Sequence, residues 1–283
     1  MTDAWHDLRL LAPSGDPSAV AGLLPPGRLV SPGNEAEAAP VLWMSEGEAP
    51  VGLWEELHRA HPATGLWPLL LVPLRAEAPF RPWETGELDT RSASEPDWYD
   101  PAALLRTGWQ YCVALDQDGE PLDPEELTEL GRSIVPFTGG WPGTAPAAAY
   151  SGDPDEAARA LAKHLVALGG PLRPRIGLVA AGSGAEALTV MGWTGPVNHE
   201  DDVAKVSAVL LDWERRYGAR VVQVGFAELE VSVAAPPADL DSALHVAAEH
   251  LAFCPDNIFQ GAGTLAEYAP DLIGSGHWYF WWD

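Results

Sequence analysis

Arg175-Ile176-Gly177-Leu178-Val179-Ala180-Ala181, followed by Gly182-Ser183-Gly184, is where the pattern of this chain becomes regular. An apolar run of strand length that stops at turn residues reads as a buried strand. The turn leads into a short helix over residues 185–191, and Gly192-Trp193-Thr194-Gly195-Pro196 reads as a loop. His199-Glu200-Asp201-Asp202 then opens a long helix to Tyr217, acidic at its start and basic at Arg215-Arg216, as the macrodipole favours. Val203, Val206, Val209, Leu210 and Trp213 fall on one face of it, and Gly218 stops it. Residues 219–226 and 228–234 alternate apolar and polar side chains and read as a hairpin. Asp239 caps a helix to about Phe253, a shorter helix fits residues 263–272, and residues 277–283 close with a strand. Leaving the short helices aside, the order is βαββαβ. It predicts an α+β protein with a ferredoxin-like antiparallel sheet, helices on one face, over the C-terminal part.

Upstream the pattern is less regular. A helix over 154–168 has Asp153 as its N-cap, Pro154 at its first position and Gly169-Gly170 as its stop. Turn residues crowd 136–154, and we divide the chain there. Residues 1–150 form an irregular α/β region rich in Pro, Trp and acids, and residues 151–283 the ferredoxin-like domain. Within the first region, 41–44 reads as a strand and 50–61 as a helix ended by Pro62. Residues 66–74 read as a strand that Pro68 and Pro73 push toward an edge or restrict in its ladder. Residues 76–107 read as a long irregular excursion or a lid, 109–116 as a strand and 116–119 as a turn.

Composition bounds the function. With 47% apolar and 20% charged residues in a chain of 283, the protein is globular. Thirteen Trp call for a substantial core. Forty-one acids against sixteen bases give a net charge of −25, which repels phosphate backbones and argues against nucleic acid. The same charge suits a basic protein partner, although a plainly soluble acidic surface accounts for it too. Cys112 and Cys254 do not make a disulfide framework. The N-terminal residues lack a signal-peptide pattern, and the apolar stretch 65–74 is short and Pro-broken. The expectation is a cytoplasmic protein without a membrane span.

Several short motifs recur in a known order. Trp213-Glu214 precedes Tyr217-Gly218, then come Pro236-Pro237, Ala248-Glu249-His250, Phe253-Cys254-Pro255-Asp256, Gln260-Gly261 and Trp281-Trp282-Asp283. Over roughly 175–283 this resembles the bacterial domain-of-unknown-function family 4253, common in actinobacteria. Thr64-Gly65-Leu66-Trp67-Pro68 and Gly140-Trp141-Pro142-Gly143 extend the resemblance more loosely. The family brings no established activity, so the resemblance implies kinship and no mechanism.

The residues that could carry chemistry lie near the end of the chain. Cys254 could be a nucleophile with His250 as base and Asp256 orienting it. Pro255, however, turns the backbone at Cys254 away from the helix. The plainer reading is a helix end with a buried thiol and a hydrogen-bonded turn. Glu249, Gln260, Trp193 and Trp281 are candidates for holding a ligand or partner. His245 and Glu249 stand four apart, but no metal motif accompanies them, and neither metal nor cofactor is expected. Gly182-Ser183-Gly184 has the place of a phosphate cradle but lacks the dinucleotide and P-loop signatures. In the closing strand Trp278, Phe280 and Trp282 face one way, and Tyr279 and Trp281 the other. The leading expectation is an interaction protein, an acidic, immunity-like antagonist of a basic protein. The alternatives are an enzyme centred on Cys254 and a small-molecule binder with a cleft between the two halves, near Trp193 and the Gln260 loop.

Overall fold

A computed structural model describes residues 4–33, 38–76, 79–91, 94–114, 121–147 and 152–283. The turn expected at 116–119 lies outside the described residues. The strands are β1 (Gly27–Val30), β2 (Leu42–Ser45), β3 (Leu66–Leu71), β4 (Arg175–Ala180), β5 (Arg220–Val224), β6 (Glu228–Ser232) and β7 (His277–Trp281). The helices before β4 are α1 (Ala4–Leu11), α2 (Ser18–Ala21), α3 (Leu53–Thr64), α4 (Pro101–Ala114), α5 (Pro124–Ser133) and α6 (Pro154–Leu168). Those after it are α7 (Gly184–Met191), α8 (Val203–Tyr217), α9 (Leu240–Phe253) and α10 (Leu265–Leu272), with a π-helical turn over Asn257–Ala262.

All seven strands form one mixed sheet in the order β1-β2-β4-β3-β5-β6-β7. Neighbours are antiparallel except β3 and β5. The α+β class therefore stands, and so does the element order read over 175–283. The ferredoxin-like arrangement does not. A βαββαβ unit closed on itself would pair its own four strands, but here β3, from residues 66–71, lies between β4 and β5. The order of elements is local, whereas strand neighbours are chosen across the chain, and β3 pairs with β4 along its whole length. Strands from both sides of residue 150 thus alternate in the same sheet.

β3 is an inner strand and not an edge, although its ladder to β5 is restricted to Leu70 and Leu71. Pro68 sits inside it opposite Leu178 of β4, and all six of its residues are buried. The missing N–H is accommodated because pairing with β5 begins only at Leu70. Upstream of that point the Trp67 indole donates to the Val221 carbonyl of β5 at 3.2 Å, in place of a ladder bond. Pro62 does not end α3. The helix continues to Thr64 and stops at Gly65, whose φ of 67° is the left-handed cap.

Of the strand expected at 109–116, residues 109–114 are the C-terminal part of helix α4, and the rest lies outside the described residues. Leu105, Trp109 and Cys112 stand at helical spacing and pack into the core. A Cβ on Gly108 would lie 2.2 Å from the Ala252 carbonyl, so the backbones of α4 and α9 touch at this glycine. Elsewhere the boundaries follow their caps. Asp153, Ser183, Asp202 and Asp239 each accept a backbone N–H at the start of α6, α7, α8 and α9. Because Asp202 is the cap, α8 begins at Val203, and His199 lies ahead of the helix.

Helices cover both faces. Trp43, Leu70, Ile176, Leu178 and Val222 face α1, α2, α3 and α6. Met44, Leu69, Val221, Val231 and Phe280 face α7, α8 and α9, with α4 packed outside on α8 and α9. In β7, Trp278 and Phe280 are buried in this second core, while Tyr279 on the opposite face is 43% exposed.

Candidate functional site

The segment after α9 folds back along the outer edge of the sheet. β7 is a terminal strand, and its free edge carries unpaired backbone groups. The Asn257 carboxamide meets two of them, donating to the Tyr279 carbonyl at 2.6 Å and accepting from the Trp281 N–H at 3.3 Å. It acts as a one-residue strand. The Cys254 thiol donates to the Trp281 carbonyl at 2.9 Å, and Asp256 Oδ2 accepts the Asp283 N–H at 3.0 Å. The thiol, amide and carboxylate that looked chemical from sequence thus close a sheet edge. Cys254 is fully buried, and burial pushes its thiol far above the usual range.

Glu249 and His250 lie in the core one residue apart and do different work. Glu249 is fully buried and bound to Arg216 through both oxygens, at 3.0 and 2.5 Å. It also accepts from the Trp213 indole at 2.8 Å and from the Ala145 N–H at 2.7 Å. Arg216 in turn donates to the Ala145 carbonyl at 3.0 Å. The pair therefore grips both polar groups of one backbone unit and pins the Gly140–Ala147 stretch onto α8 and α9. His250 packs among Trp213, Trp278 and Phe280, and its Nδ1 meets the Tyr268 hydroxyl at 3.0 Å. Its Nε2 is buried without a partner, and burial pulls its pKa down to about 3. His250 and Cys254 do not hydrogen-bond each other through their side chains; what joins them is the helix bond from the Cys254 N–H to the His250 carbonyl.

Asp256 and Gln260 do converge on an open surface. Asp256 is 5% exposed and is held by Gln260 Nε2 at 2.8 Å. Its Oδ2 also faces His199 Nε2 at 3.0 Å. The His199 side chain is 32% exposed, so a buried carboxylate orients a half-open imidazole. This cluster borders a groove of about 1760 Å³ walled by α4, α5, the start of α8, the end of α9 and the π-helical turn. Among its lining residues are six acids, Asp100, Glu126, Glu129, Glu200, Asp256 and Asp283, against one lysine, Lys205. Lys205 is paired with Glu200 at 2.8 Å. Trp98, Tyr111 and Phe259 also line the groove, 72%, 54% and 41% exposed. Sequence reasoning missed His199, Tyr111 and Phe259 as site residues. Tyr111 was hidden by the strand reading of α4, whose helical spacing would have turned it away from the Leu105–Trp109 face.

The remaining candidates lie elsewhere. Trp193 is buried, donates to the Gly225 carbonyl at 3.0 Å and packs edge-on against Trp282. It borders a separate small cavity of about 200 Å³ with Asp89, Thr194 and Glu200. Trp281 is half-buried on the outer face of β7, opposite Glu228. His245 Nδ1 meets the Asp241 carbonyl of its own helix at 2.9 Å, while Glu249 is engaged with Arg216. The Gly182-Ser183-Gly184 turn is occupied from within. Glu186 accepts the Gly182 N–H at 2.9 Å, and Ser183 caps the Glu186 N–H, so carboxylate already stands where a phosphate would.

Fold and site together define an acidic α+β protein with helices on both faces of a single sheet and an acid-lined groove on one side. Residues 175–283 match the model of a family described as a domain of unknown function, DUF4253, which supports the resemblance carried by the motifs. The match spans β4 to β7, including the edge-capping segment. No curated protein and no solved structure matches the chain. Among the described residues, no helix is long and apolar enough to cross a membrane.

Proposed function

We propose that this is a binding protein whose groove receives a basic segment of a protein partner, in the manner of an acidic antagonist. The observation that carries this is the groove lining: six acids against one lysine that is already paired, with exposed aromatic rings among them. An excess of carboxylates around a groove concentrates cations and steers their approach. Exposed Trp and Tyr supply the contact area on which interface energy concentrates. Both cysteines are free, which suits a reducing compartment such as the cytoplasm.

Chemistry at Cys254 has less support, since a buried thiol that donates to a backbone carbonyl is neither ionised nor reachable. The test is direct binding of two synthetic peptides of equal length, one rich in Lys and one with Glu at the same positions. The basic peptide should bind, should weaken steeply between low and physiological salt, and should weaken further on the Glu129→Lys variant. Equal affinity for both peptides would overturn the reading.

A further inference from the structure

We propose that the occupant of the groove is an amphipathic α-helix, apolar toward the protein and basic outward. This rests on the groove reading above and names the form of the partner segment.

Size is the first argument. At about 1760 Å³ the groove exceeds the roughly 300–1,000 Å³ of small-molecule sites. The second is the chemistry of its floor. Leu104, Val206, Val209, Phe253 and Phe259 line it, so a segment lying there loses water from its backbone. An extended peptide survives that loss only by joining a strand edge. The nearest edge is β7, and Asn257 and Cys254 already occupy its groups at Tyr279 and Trp281. A helix carries its backbone hydrogen bonds internally and needs no such partner.

The third argument is where the charges lie. Glu126 and Glu129 are exposed on α5, along one wall. A helix with an apolar face on the floor would direct its flanking Lys or Arg toward these carboxylates. α5 itself contains no buried residue, so this wall is thinly attached to the core. Tyr111 on α4 and Phe259 on the π-helical turn are the exposed rings that would grip the apolar face.

The experiment uses the full chain and two 18-residue peptides of identical Leu/Lys composition. One places Leu at helical spacing and the other alternates Leu and Lys. Fluorescence anisotropy should show the helical peptide binding at least tenfold more tightly, with helicity gained on binding by circular dichroism. Tyr111→Ala with Phe259→Ala should weaken it at least tenfold while the variant keeps a cooperative thermal transition, since both side chains are partly exposed. If both peptides bind equally, or the double variant binds as well as the wild type, the helix proposal is overturned while the basic-partner reading stands. If neither peptide binds, both fall.

Discussion

The Cys254 thiol donates a hydrogen bond to the Trp281 carbonyl at 2.9 Å, joining the end of α9 to the last strand of the sheet. A residue with the sequence context of a nucleophile is thereby a latch. Replacing it with Ala leaves the Trp281 carbonyl short of a donor and opens a small void, a loss of about 1–3 kcal/mol. Serine, which keeps a donor, should recover part of this. In the folded protein Cys254 should resist iodoacetamide at neutral to mildly alkaline pH and react fully in denaturant. Mass spectrometry of the alkylated peptides decides the point, and rapid native labelling would count against the burial described.

Removing one partner of the Glu249–Arg216 pair should be among the most damaging changes available. Glu249→Ala leaves a guanidinium that is only 13% exposed with Asp212, at 2.6 Å, as its remaining carboxylate, and frees the Trp213 indole and the Ala145 N–H. Breaking such a pair costs about 3–5 kcal/mol. Denaturant unfolding should show that loss. Limited proteolysis should cut first near Ala145, since the clamp on that backbone is gone.

Acid should destabilise the fold through two buried histidines. Burial pulls His58 down to about 4 and His250 down to about 3. Both are favoured neutral in the folded state. Their contribution is therefore present above the unfolded value of 6.5 and is lost as pH falls toward the folded values. His250 alone gives a slope of about 1.4 kcal/mol per pH unit through most of that window. Stability measured from pH 7 to 4 should fall, and His250→Leu should flatten the fall by about one proton. A wild-type stability independent of pH below 6 would refute this.

Glu214 works in the opposite direction. Burial pushes it up to about 7, despite Arg220 and the Ser183 hydroxyl, and Glu186 adds to the rise. Its Oε1 is buried without a partner. The folded state favours the protonated form, so this group costs stability as pH rises from the unfolded value of 4.5 through 7. Glu214→Gln should therefore gain on the wild type between pH 5 and pH 8, by about 3 kcal/mol at most. Paired denaturation curves at the two pH values measure it, and a gain that does not grow with pH would contradict the assignment.

Substitution at Gly108 tests how α4 is seated. The 2.2 Å approach of its notional Cβ to the Ala252 carbonyl leaves no room for Ala without separating α4 from α9. Gly108→Ala should cost about 1–3 kcal/mol, although Ala is the better helix former. A stabilised variant would show that the helices do not meet as described.

Local signals read well wherever one side chain sets a boundary. Asp153 and Asp239 mark the starts of α6 and α9, and Gly218 marks the end of α8. The hairpin of β5 and β6 and the two faces of β7 followed from alternation alone. Misreadings came where local rules meet a tertiary override. Pro68 is tolerated in an inner strand because Trp67 supplies the donor toward β5. The aromatic run at Trp109 has both strand-like composition and helical spacing, and packing against α9 selects the helix.

Amino-acid order was enough for the α+β class, the order of elements from β4 to β7, the acidic charge and the family resemblance of residues 175–283. Each of these rests on composition, on caps, or on a period that one turn or strand can express. Packing of distant segments places β3 between β4 and β5, sets Asn257 on the edge of β7, and brings His199 to Asp256 beside the groove. Those pairings join residues far apart in the chain. Their geometry depends on which faces are buried together, and no local pattern carries that information.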